Sequence, residues 1–213
     1  MYSEYVKKGL SRASRATPRT YRMQKRGEGV DRTRQRITDA AVLLHTSIGP
    51  SEASMSAVAE QAGVTRVTLY RHFSSMDELF HACMTHWRSL HPLPDPNRWR
   101  SIPSFERRLR AALAELYGWY AENGDDLYPV YRDAAHTPQS TRLARRETND
   151  RQADAILADL AITGAARRRL RAAIGHAVRF WTWHSLAKDQ GLSTRDAAAL
   201  VGDFVLAAGR PGS

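Results

Sequence analysis

Apolar residues recur three or four positions apart along most of this chain, which is the spacing that places them on one face of an α-helix. The first such face is formed by Ile37, Ala40, Ala41 and Leu44. Asp31 precedes it and can cap a helix over about residues 32–46. We find no convincing strand, so the pattern predicts an all-α protein of about nine helices.

Turn-forming residues divide the rest of the chain. The Gly49-Pro50 turn ends the first helix, and the prolines of residues 91–103 predict a loop that separates two modules. Asn123-Gly124 is expected to end the first helix of the second module. Later helices are predicted at about residues 126–135, 137–160, 165–188 and 193–208. The candidate N-caps are Ser54, Thr65, Ser75, Ser104 and Ser193.

The most informative stretch is residues 54–79, which predicts two short helices joined by a tight turn and the start of a third. The first of them has an apolar face made of Met55, Val58, Ala59 and Ala62. Gly63 can adopt a positive φ and let the chain leave the helix. Thr65 can then cap the next helix, over about residues 66–71. Such a pair is a helix-turn-helix, whose second helix enters the major groove of DNA.

The second helix of this pair carries hydrogen-bond donors and no acidic residue. Leu69 and Phe73 are four positions apart and can face the core. Arginine can bond guanine, threonine can meet a thymine methyl group, and tyrosine and histidine can reach phosphates. The candidate DNA-binding residues are Thr65, Arg66, Thr68, Leu69, Tyr70 and His72, together with Ser54, Arg32 and Arg34. The turn alone is not specific, because amphipathic helices around a glycine are common.

The residues around the helix-turn-helix form a longer and more specific pattern. Its elements are Ala59, Ala62-Gly63-Val64-Thr65, Leu69-Tyr70-Arg71-His72-Phe73, Ser75 and Asp77-Glu78-Leu79. With them the chain resembles the TetR family of transcriptional regulators over roughly residues 33–90. The resemblance implies an N-terminal three-helix DNA-binding domain, a linking fourth helix, and a C-terminal helical bundle for ligand binding and dimerisation. Met76 departs from it, because the family usually has a lysine there to meet a phosphate.

Composition and charge predict three parts of the chain. Residues 1–30 hold eight Lys or Arg and two Glu, with few large apolar residues, so we expect a basic, flexible tail. It is either a solvated leader or an arm that follows phosphates. Its basic residues nearest the fold are Arg19, Arg22, Lys25 and Arg26. Residues 31–90 form the predicted DNA-binding domain with its linking helix, and residues 91–213 the predicted ligand-binding and dimerisation domain.

The second half of the chain is rich in aromatic and apolar residues. Helical bundles bind small molecules in apolar pockets that have a few polar groups. The candidate pocket residues are Tyr117, Trp119, Tyr120, His176, Phe180, Trp183 and His184. Two apolar stripes near the C-terminus predict a symmetric homodimer. Its candidate interface residues are Leu170, Ile174, Val178, Trp181, Leu200, Val201, Phe204 and Val205. An ordinary monomer core would contain the same residue types.

Other function classes find little support in the sequence. No segment approaches the run of about 18 apolar residues that a membrane span needs, so we expect no membrane partner. The single cysteine, Cys83, rules out an internal disulfide and fits a reducing cytoplasm. We find no nucleotide loop or catalytic motif, and His81, Cys83 and His86 make a weak metal site. We therefore expect no catalytic residue, no metal and no other cofactor.

The residues and the resemblance together predict a cytoplasmic, dimeric repressor. It is expected to bind a palindromic operator in double-stranded DNA and to be released by a small apolar molecule. Two alternatives stay open. One is a DNA-binding or architectural protein that responds to no effector. The other, less favoured, is a helical enzyme that uses the aromatic cavity.

Overall fold

The computed structural model describes the backbone of residues 18–209 and the side chains of residues 29–209. This part of the chain contains ten α-helices, a 3-10 turn (Ala134–His136), a π-helical turn (Ser185–Asp189) and no strand, which confirms the predicted all-α fold. The helices are α1 (Pro18–Ser47), α2 (Met55–Gln61), α3 (Arg66–His72), α4 (Met76–Leu90), α5 (Pro96–Arg100), α6 (Phe105–Arg132), α7 (Gln139–Ile156), α8 (Gly164–Ala177), α9 (Phe180–His184) and α10 (Thr194–Ala208).

Helix α1 begins at Pro18, well before the predicted start near residue 32. Asp31 therefore lies inside α1, and the prediction that it caps the helix is wrong. The basic residues proposed for an arm, Arg19, Arg22, Lys25 and Arg26, lie on helical backbone, and their side chains are outside the described residues.

The chain divides into two compact units, residues 1–36 and residues 37–213. Every element from α2 onwards belongs to the second unit. Most of the tail predicted over residues 1–30 lies outside the described side chains, and residues 1–17 lie outside the description altogether. The flexibility of that tail and the three predicted domain boundaries stay predictions.

Five helices begin at the side-chain caps that the sequence predicts. In each case the hydroxyl oxygen accepts a hydrogen bond, 3.1–3.4 Å long, from the backbone N–H three residues later. The capping residues are Ser54, Thr65, Ser75, Ser104 and Ser193. Each cap satisfies a backbone donor that the first turn leaves unbonded. In α4 the Glu78 carboxylate also accepts from Ser74, one residue before the cap.

The segment predicted as a loop, residues 91–103, contains a short helix and a core residue. Asp95 caps α5 and Pro96 occupies its first turn. Trp99 is fully buried, and its indole N–H donates to the Glu115 carboxylate at 3.0 Å. Proline-rich sequence was compatible with a helix here because the proline lies at the helix start, where no N–H is needed.

Helix α6 is one continuous helix of 28 residues, where the sequence predicts two helices separated at Asn123-Gly124. Asn123 is buried, and its amide donates to the Trp119 carbonyl oxygen at 2.8 Å, within the helix. Gly124 is needed for close packing and not for a turn, because a Cβ there would lie 2.5 Å from the Trp183 ring. The glycine thus lets Trp183 pack directly against the backbone of α6.

Residues 165–188 are predicted as one helix, but the structure divides them into separate helices. Helix α8 ends at Ala177, α9 begins at Phe180, and a π-helical turn follows. The break frees backbone carbonyl groups inside the core. The buried Tyr117 and Tyr120 hydroxyls donate to the Ala177 and Val178 carbonyl oxygens, each at 2.9 Å. Because those tyrosines lie on α6, the break also fixes α8 against it.

Two hydrophobic cores stabilise residues 37–213, and α4 contributes to both. The head core joins the end of α1 to α2, α3 and α4, and it includes Phe73, Leu79 and Cys83. The body core joins α4 to the helices from α5 to α10, and it includes Trp87 and Trp99. We call the end of α1 with α2 and α3 the head, and α5 to α10 the body. Helix α4 is thus a shared structural element of both.

A buried histidine lies beside the single cysteine of the chain. His45 is 1% exposed, its Nδ1 lies 3.1 Å from Cys83 Sγ, and its ring packs on Phe80. Burial lowers the pKa of His45 to about 4. Burial raises the pKa of the Cys83 thiol to about 12, although backbone hydrogen bonds act the other way. Both side chains are therefore uncharged at neutral pH.

We expect Gly124→Ala to lower the free energy of unfolding by roughly 1–3 kcal/mol, because the added methyl group has no space beside Trp183. Gly118→Ala is the matched control, since it lies on the same helix and nothing lies within 4 Å of its added Cβ. That control should raise the free energy of unfolding by about 0.5–1 kcal/mol. Urea unfolding followed by circular dichroism measures both. Equal effects would contradict the packing role of Gly124.

We also expect the free energy of unfolding to fall as the pH drops from about 6.5 to about 4. In that window the unfolded chain protonates His45 whereas the folded chain does not, so stability falls by at most about 3 kcal/mol. His45→Gln removes this proton uptake and should flatten the dependence, whatever its effect on stability at neutral pH. Urea unfolding curves between about pH 7 and about pH 4.5 test this. The same slope in both proteins would contradict it.

Candidate nucleic-acid interface and ligand cavity

The turn between α2 and α3 has a helix-turn-helix geometry. Gly63 adopts φ +61°, a conformation that other residues rarely take. The Val64 N–H then donates to the Ala59 carbonyl oxygen at 2.9 Å, which closes the turn on the end of α2. Thr65 follows directly and caps α3. The direction of α3 is therefore set by a short, fully bonded connection.

The inner side of α3 is fixed in the head core. Leu69 and Phe73 have no exposed surface and pack against α1, α2 and α4. The prediction that Leu69 contacts DNA is wrong, because no part of its side chain reaches the surface. Its role is to hold the helix so that the opposite side faces outward.

The outer side of α3 presents a continuous exposed surface with no acidic residue. Its exposed residues are Thr65, Arg66, Val67, Tyr70 and Arg71. Val67 is 63% exposed and Tyr70 45%. Thr68 and His72 are half-buried, and the Thr68 hydroxyl lies 2.9 Å from that of Thr65. The surface can offer guanidinium donors to base edges or phosphates and the methyl groups of Val67 to thymine.

Val67 is the residue on this surface that sequence reasoning misses. An apolar residue next to Arg66 reads as a core position, and only its 63% exposure shows that the protein itself does not cover it. The signal that could have found it is the register of α3. Leu69 and Phe73 fix the buried side, so Val67 falls on the other side.

A cluster of hydrogen bonds joins the turn after α1 to the end of α6; we call it the Asp133 cluster. The Asp133 carboxylate accepts from the Ser51 N–H at 3.1 Å, from the Ser51 hydroxyl at 2.5 Å, and from the Arg132 guanidinium. Arg132 also donates to the Ile48 carbonyl oxygen at 2.7 Å. Gly49 has φ +97°, and a Cβ there would collide with the Asp133 carboxylate. The cluster therefore connects head and body directly.

Hydrogen bonds from Arg132 hold the pKa of the Asp133 carboxyl well below its usual range. The bonds from Ser51 lower the pKa further, whereas desolvation acts in the opposite direction. Asp133 is therefore charged at neutral pH. Its contribution to stability is present above a pH of about 4 and is lost as the pH falls further.

Two side-chain contacts of α4 also join the head to the body. His86 Nε2 lies 3.3 Å from an Asp39 carboxylate oxygen on α1. One residue later the Trp87 indole N–H donates to Asp126 on α6 at 3.0 Å. A displacement of α4 has to change at least one of these contacts.

A cavity of about 670 Å³ lies between α4, α6 and α7. This volume suits a small organic molecule, since ligand pockets in proteins span about 300–1,000 Å³. Helix α6 supplies aromatic and apolar wall residues, which include Trp119, Tyr120, Leu127, Val130 and Tyr131. Helix α4 supplies His81, Met84 and Arg88, and α7 supplies Arg145 and Gln152. The same helix that joins both cores thus forms one wall of the cavity.

Comparison with known proteins identifies the family. The sequence model of bacterial regulatory proteins of the tetR family matches residues 37–83. The chain is 37% identical over 114 residues to the HTH-type transcriptional regulator SrpR of Pseudomonas putida, a match that covers 54% of this chain but less than half, 45%, of SrpR. It is 36% identical over 112 residues to the HTH-type transcriptional regulator TtgW, also of Pseudomonas putida, covering 53% of this chain and 69% of TtgW. The chain belongs to the TetR family.

Solved structures share the fold of this TetR-family chain. A TetR-like transcriptional regulator from Rhodococcus sp. RHA1 superposes with a TM-score of 0.57 at 22% identity, over 82% of this chain and 93% of that one. NalD of Pseudomonas aeruginosa superposes with a TM-score of 0.55 at 19% identity, over 84% of this chain and 95% of NalD. These likenesses extend the shared fold into the body, which the family's sequence model does not cover.

The other predicted DNA contacts of this TetR-family chain lie outside α3. Ser54 is exposed and caps α2. Arg32 and Arg34 lie on α1 in the unit of residues 1–36, where Arg32 is exposed and Arg34 half-buried. Met76, which replaces the usual lysine, packs against the head core. Whether these residues contact DNA stays a prediction.

The cavity contains two of the predicted pocket residues, Trp119 and Tyr120. Tyr117, Phe180 and Trp183 are instead at most 1% exposed within the body core. The two histidines lie elsewhere, since His176 is exposed and His184 stacks on Tyr128 at 5.1 Å. The helical spacing that groups residues 176–184 fails because the helix breaks after Ala177. Sequence reasoning also misses Arg88, Arg145 and Gln152, which look like surface residues until α4 and α7 are placed against α6.

The predicted dimer residues separate into two groups. Leu170, Ile174 and Val178 are at most 1% exposed and belong to the body core, so the prediction that they form an interface is wrong. Trp181 and Phe204 are 43% and 61% exposed, and Leu200 is half-buried. Trp181, Val201, Phe204 and Val205 line an apolar groove of about 460 Å³ between α8, α9 and α10.

The described residues contain neither a membrane-spanning helix nor a cluster of metal-binding side chains. No helix there is long and apolar enough to cross a membrane. No group of three or more His, Cys, Asp or Glu side chains there could hold a metal ion.

We expect Asp133→Asn to lower the free energy of unfolding by about 1–3 kcal/mol, because it removes the charge that accepts from Ser51 and Arg132. Asp125→Asn is the matched control, since the exposed Asp125 pairs only with the surface residue Lys188, at 3.2 Å. Its effect should stay within about 0.5 kcal/mol. Urea unfolding at neutral pH measures both. If the two variants lose equal stability, the Asp133 cluster does not hold the head to the body.

Proposed function

We propose that this chain is a dimeric transcriptional repressor that binds a palindromic operator through α3 and is released by a small molecule in the cavity between α4, α6 and α7. One observation carries the proposal. The exposed side of α3 is free of acidic residues and rich in donors, while Leu69 and Phe73 fix its other side with no exposure. A rigid, non-acidic helix surface of this kind fits the major groove.

A protein of the same fold supports repression over activation. NalD, whose fold this chain shares, is the secondary repressor of the MexAB-OprM multidrug efflux pump. A repressor acts by occupying DNA, so it needs an operator contact but no contact with polymerase. Binding of chromosomal DNA also fits the cytoplasmic location that the sequence predicts, and the relatives named as regulators favour binding over catalysis.

Dimerisation is supported by the apolar groove between α8, α9 and α10. Phe204 and Trp181 expose large apolar side chains there, and a second copy of the chain can cover them. In a twofold dimer the same groove is buried on both subunits. Two α3 helices about 34–36 Å apart would then meet two operator half-sites on one face of the duplex.

Release by a ligand is supported by the position of α4. Its side chains line the cavity, and it also belongs to the head core and the body core. A ligand that favours a shifted α4 changes the position of the head, and through it the separation of the two α3 helices. Such a ligand must weaken DNA binding by the same factor by which DNA weakens ligand binding.

Footprinting on the DNA that flanks the gene tests the proposal. Wild type should protect two half-sites, and Arg66→Ala and Tyr70→Ala should each weaken protection by about tenfold or more, because each removes a base or phosphate contact. The control is Arg100→Ala, which removes an exposed arginine on α5. It should protect the DNA as wild type does.

If Arg66→Ala and Tyr70→Ala protect the DNA like wild type, α3 is not the reading helix. Protection that has little sequence preference and a steep salt dependence would favour the architectural alternative. Size-exclusion chromatography with light scattering measures the oligomeric state separately. A monomer at micromolar concentration would contradict the proposed dimer.

A further inference from the structure

Three arginines line the cavity between α4, α6 and α7, and one of them, Arg151 on α7, is exposed. Arg88 comes from α4 and Arg145 from α7, and both side chains are half-buried. Helix α6 supplies an aromatic and aliphatic wall that includes Trp119 and Tyr120, whereas most of the other lining residues are polar. A guanidinium group stays protonated in proteins, so the half-buried Arg88 and Arg145 bring two positive charges to the partly enclosed wall.

Neither arginine forms an ion pair with a carboxylate of the described residues. The Arg88 guanidinium lies over the Trp87 and Trp119 rings, 5.6 Å and 5.2 Å from their centroids. The Arg145 guanidinium lies 4.0 Å from the centroid of the Tyr131 ring. These ring contacts orient the two groups, but an aromatic face does not neutralise a charge.

Other arginines of the body show what a compensated guanidinium looks like in this protein. Arg110 contacts Glu106 and Asp203, and Arg171 contacts Asp150 and Asp154, at 2.7–3.0 Å. Those four contacts lie on the protein surface, where water would also screen the charge. The uncompensated pair lies in the cavity, where screening is weaker.

The electrostatics of the cavity agree with this arrangement. Burial lowers the pKa of Arg88, and the charge of Arg145 lowers it further. The two guanidinium groups thus repel each other in a partly dehydrated space. An anion bound between them would offset the cost of this desolvation and reduce the repulsion.

Two further polar groups of the wall lack a partner. The Trp119 indole N–H is buried and makes no hydrogen bond to the described residues. Gln152 is 1% exposed, and its side-chain oxygen has no partner in that part of the chain either. Buried polar groups are seldom left unbonded, and of these two only the Trp119 N–H is a donor from which an anion could accept.

We propose that the effector of this chain is an organic anion, a carboxylate on an aromatic body, whose charge is bound by Arg88 and Arg145. Guanidinium groups bind carboxylates through paired, charge-assisted hydrogen bonds. The aromatic body packs on Trp119 and Tyr120. The inference rests on the proposed function only in treating the bound molecule as the effector. It replaces the apolar ligand expected from the sequence with a charged one.

Matched probes test the charge requirement directly. Benzoate and naphthoate are compared with benzyl alcohol and naphthalenemethanol, which have the same rings without the charge, and with benzylamine, which carries the opposite charge. Binding is measured on the full-length protein by calorimetry and by quenching of tryptophan fluorescence. We expect the better carboxylate to bind about tenfold or more tightly than its alcohol, and the amine to bind least. If neither carboxylate binds more tightly than its alcohol, the inference is overturned.

Charge-removing variants then locate the site. Arg88→Met and Arg145→Met keep a long apolar side chain and should each weaken carboxylate binding by about tenfold, while binding of the alcohol stays the same. Retained alcohol binding shows that the variant is folded. The matched control is Arg146→Met, an exposed position next to Arg145 on α7, which should bind the carboxylate as wild type does. Unchanged carboxylate binding in both cavity variants would overturn the assignment to Arg88 and Arg145.

Footprinting with the same probes separates this inference from the proposed function. Release of the DNA by a carboxylate, lost in Arg88→Met, supports both. Carboxylate binding through the two arginines without DNA release supports the anion site and contradicts the proposed release. Release by the alcohol but not by the carboxylate contradicts the inference and leaves the proposed function standing.

Discussion

Helix α4 packs into two hydrophobic cores at once, and the rest of the structure depends on that constraint. Leu79 and Cys83 anchor its first half in the head core, and Trp87 anchors its second half in the body core. Close-packed cores do not deform continuously, so α4 shifts as a unit or not at all. Packed side chains of α4 therefore connect the cavity beside it to the core on which α3 rests.

The Asp133 cluster is a second connection between the head and the body, in addition to α4. Two hydrogen bonds from Ser51 to the Asp133 carboxylate, and one from Arg132 to the Ile48 carbonyl oxygen, fix the turn after α1 to the end of α6. Gly49 is required at this point because any side chain would displace the carboxylate.

How far the sequence predicts this protein differs between its two halves. The local structure of the head can be predicted from short stretches of sequence. The hydroxyl caps, Gly63 and the spacing of Leu69 and Phe73 all act within a few residues, and the structure has them as expected. The body depends on contacts between distant residues. Gly124 looks like a helix end until Trp183 is placed on it, and Arg88 and Arg145 look like surface residues until their helices meet. No local pattern contains that information.

The burial of Cys83 has a practical consequence. It is the only cysteine of the chain, it has no exposed surface, and its thiol pKa of about 12 leaves almost no thiolate at physiological pH. Since the thiolate is the reactive form, Cys83 in the folded protein should resist oxidants and alkylating reagents. Any labelling of Cys83 then reports an opening of the head core, so the native chain carries its own probe for local unfolding of the DNA-binding half.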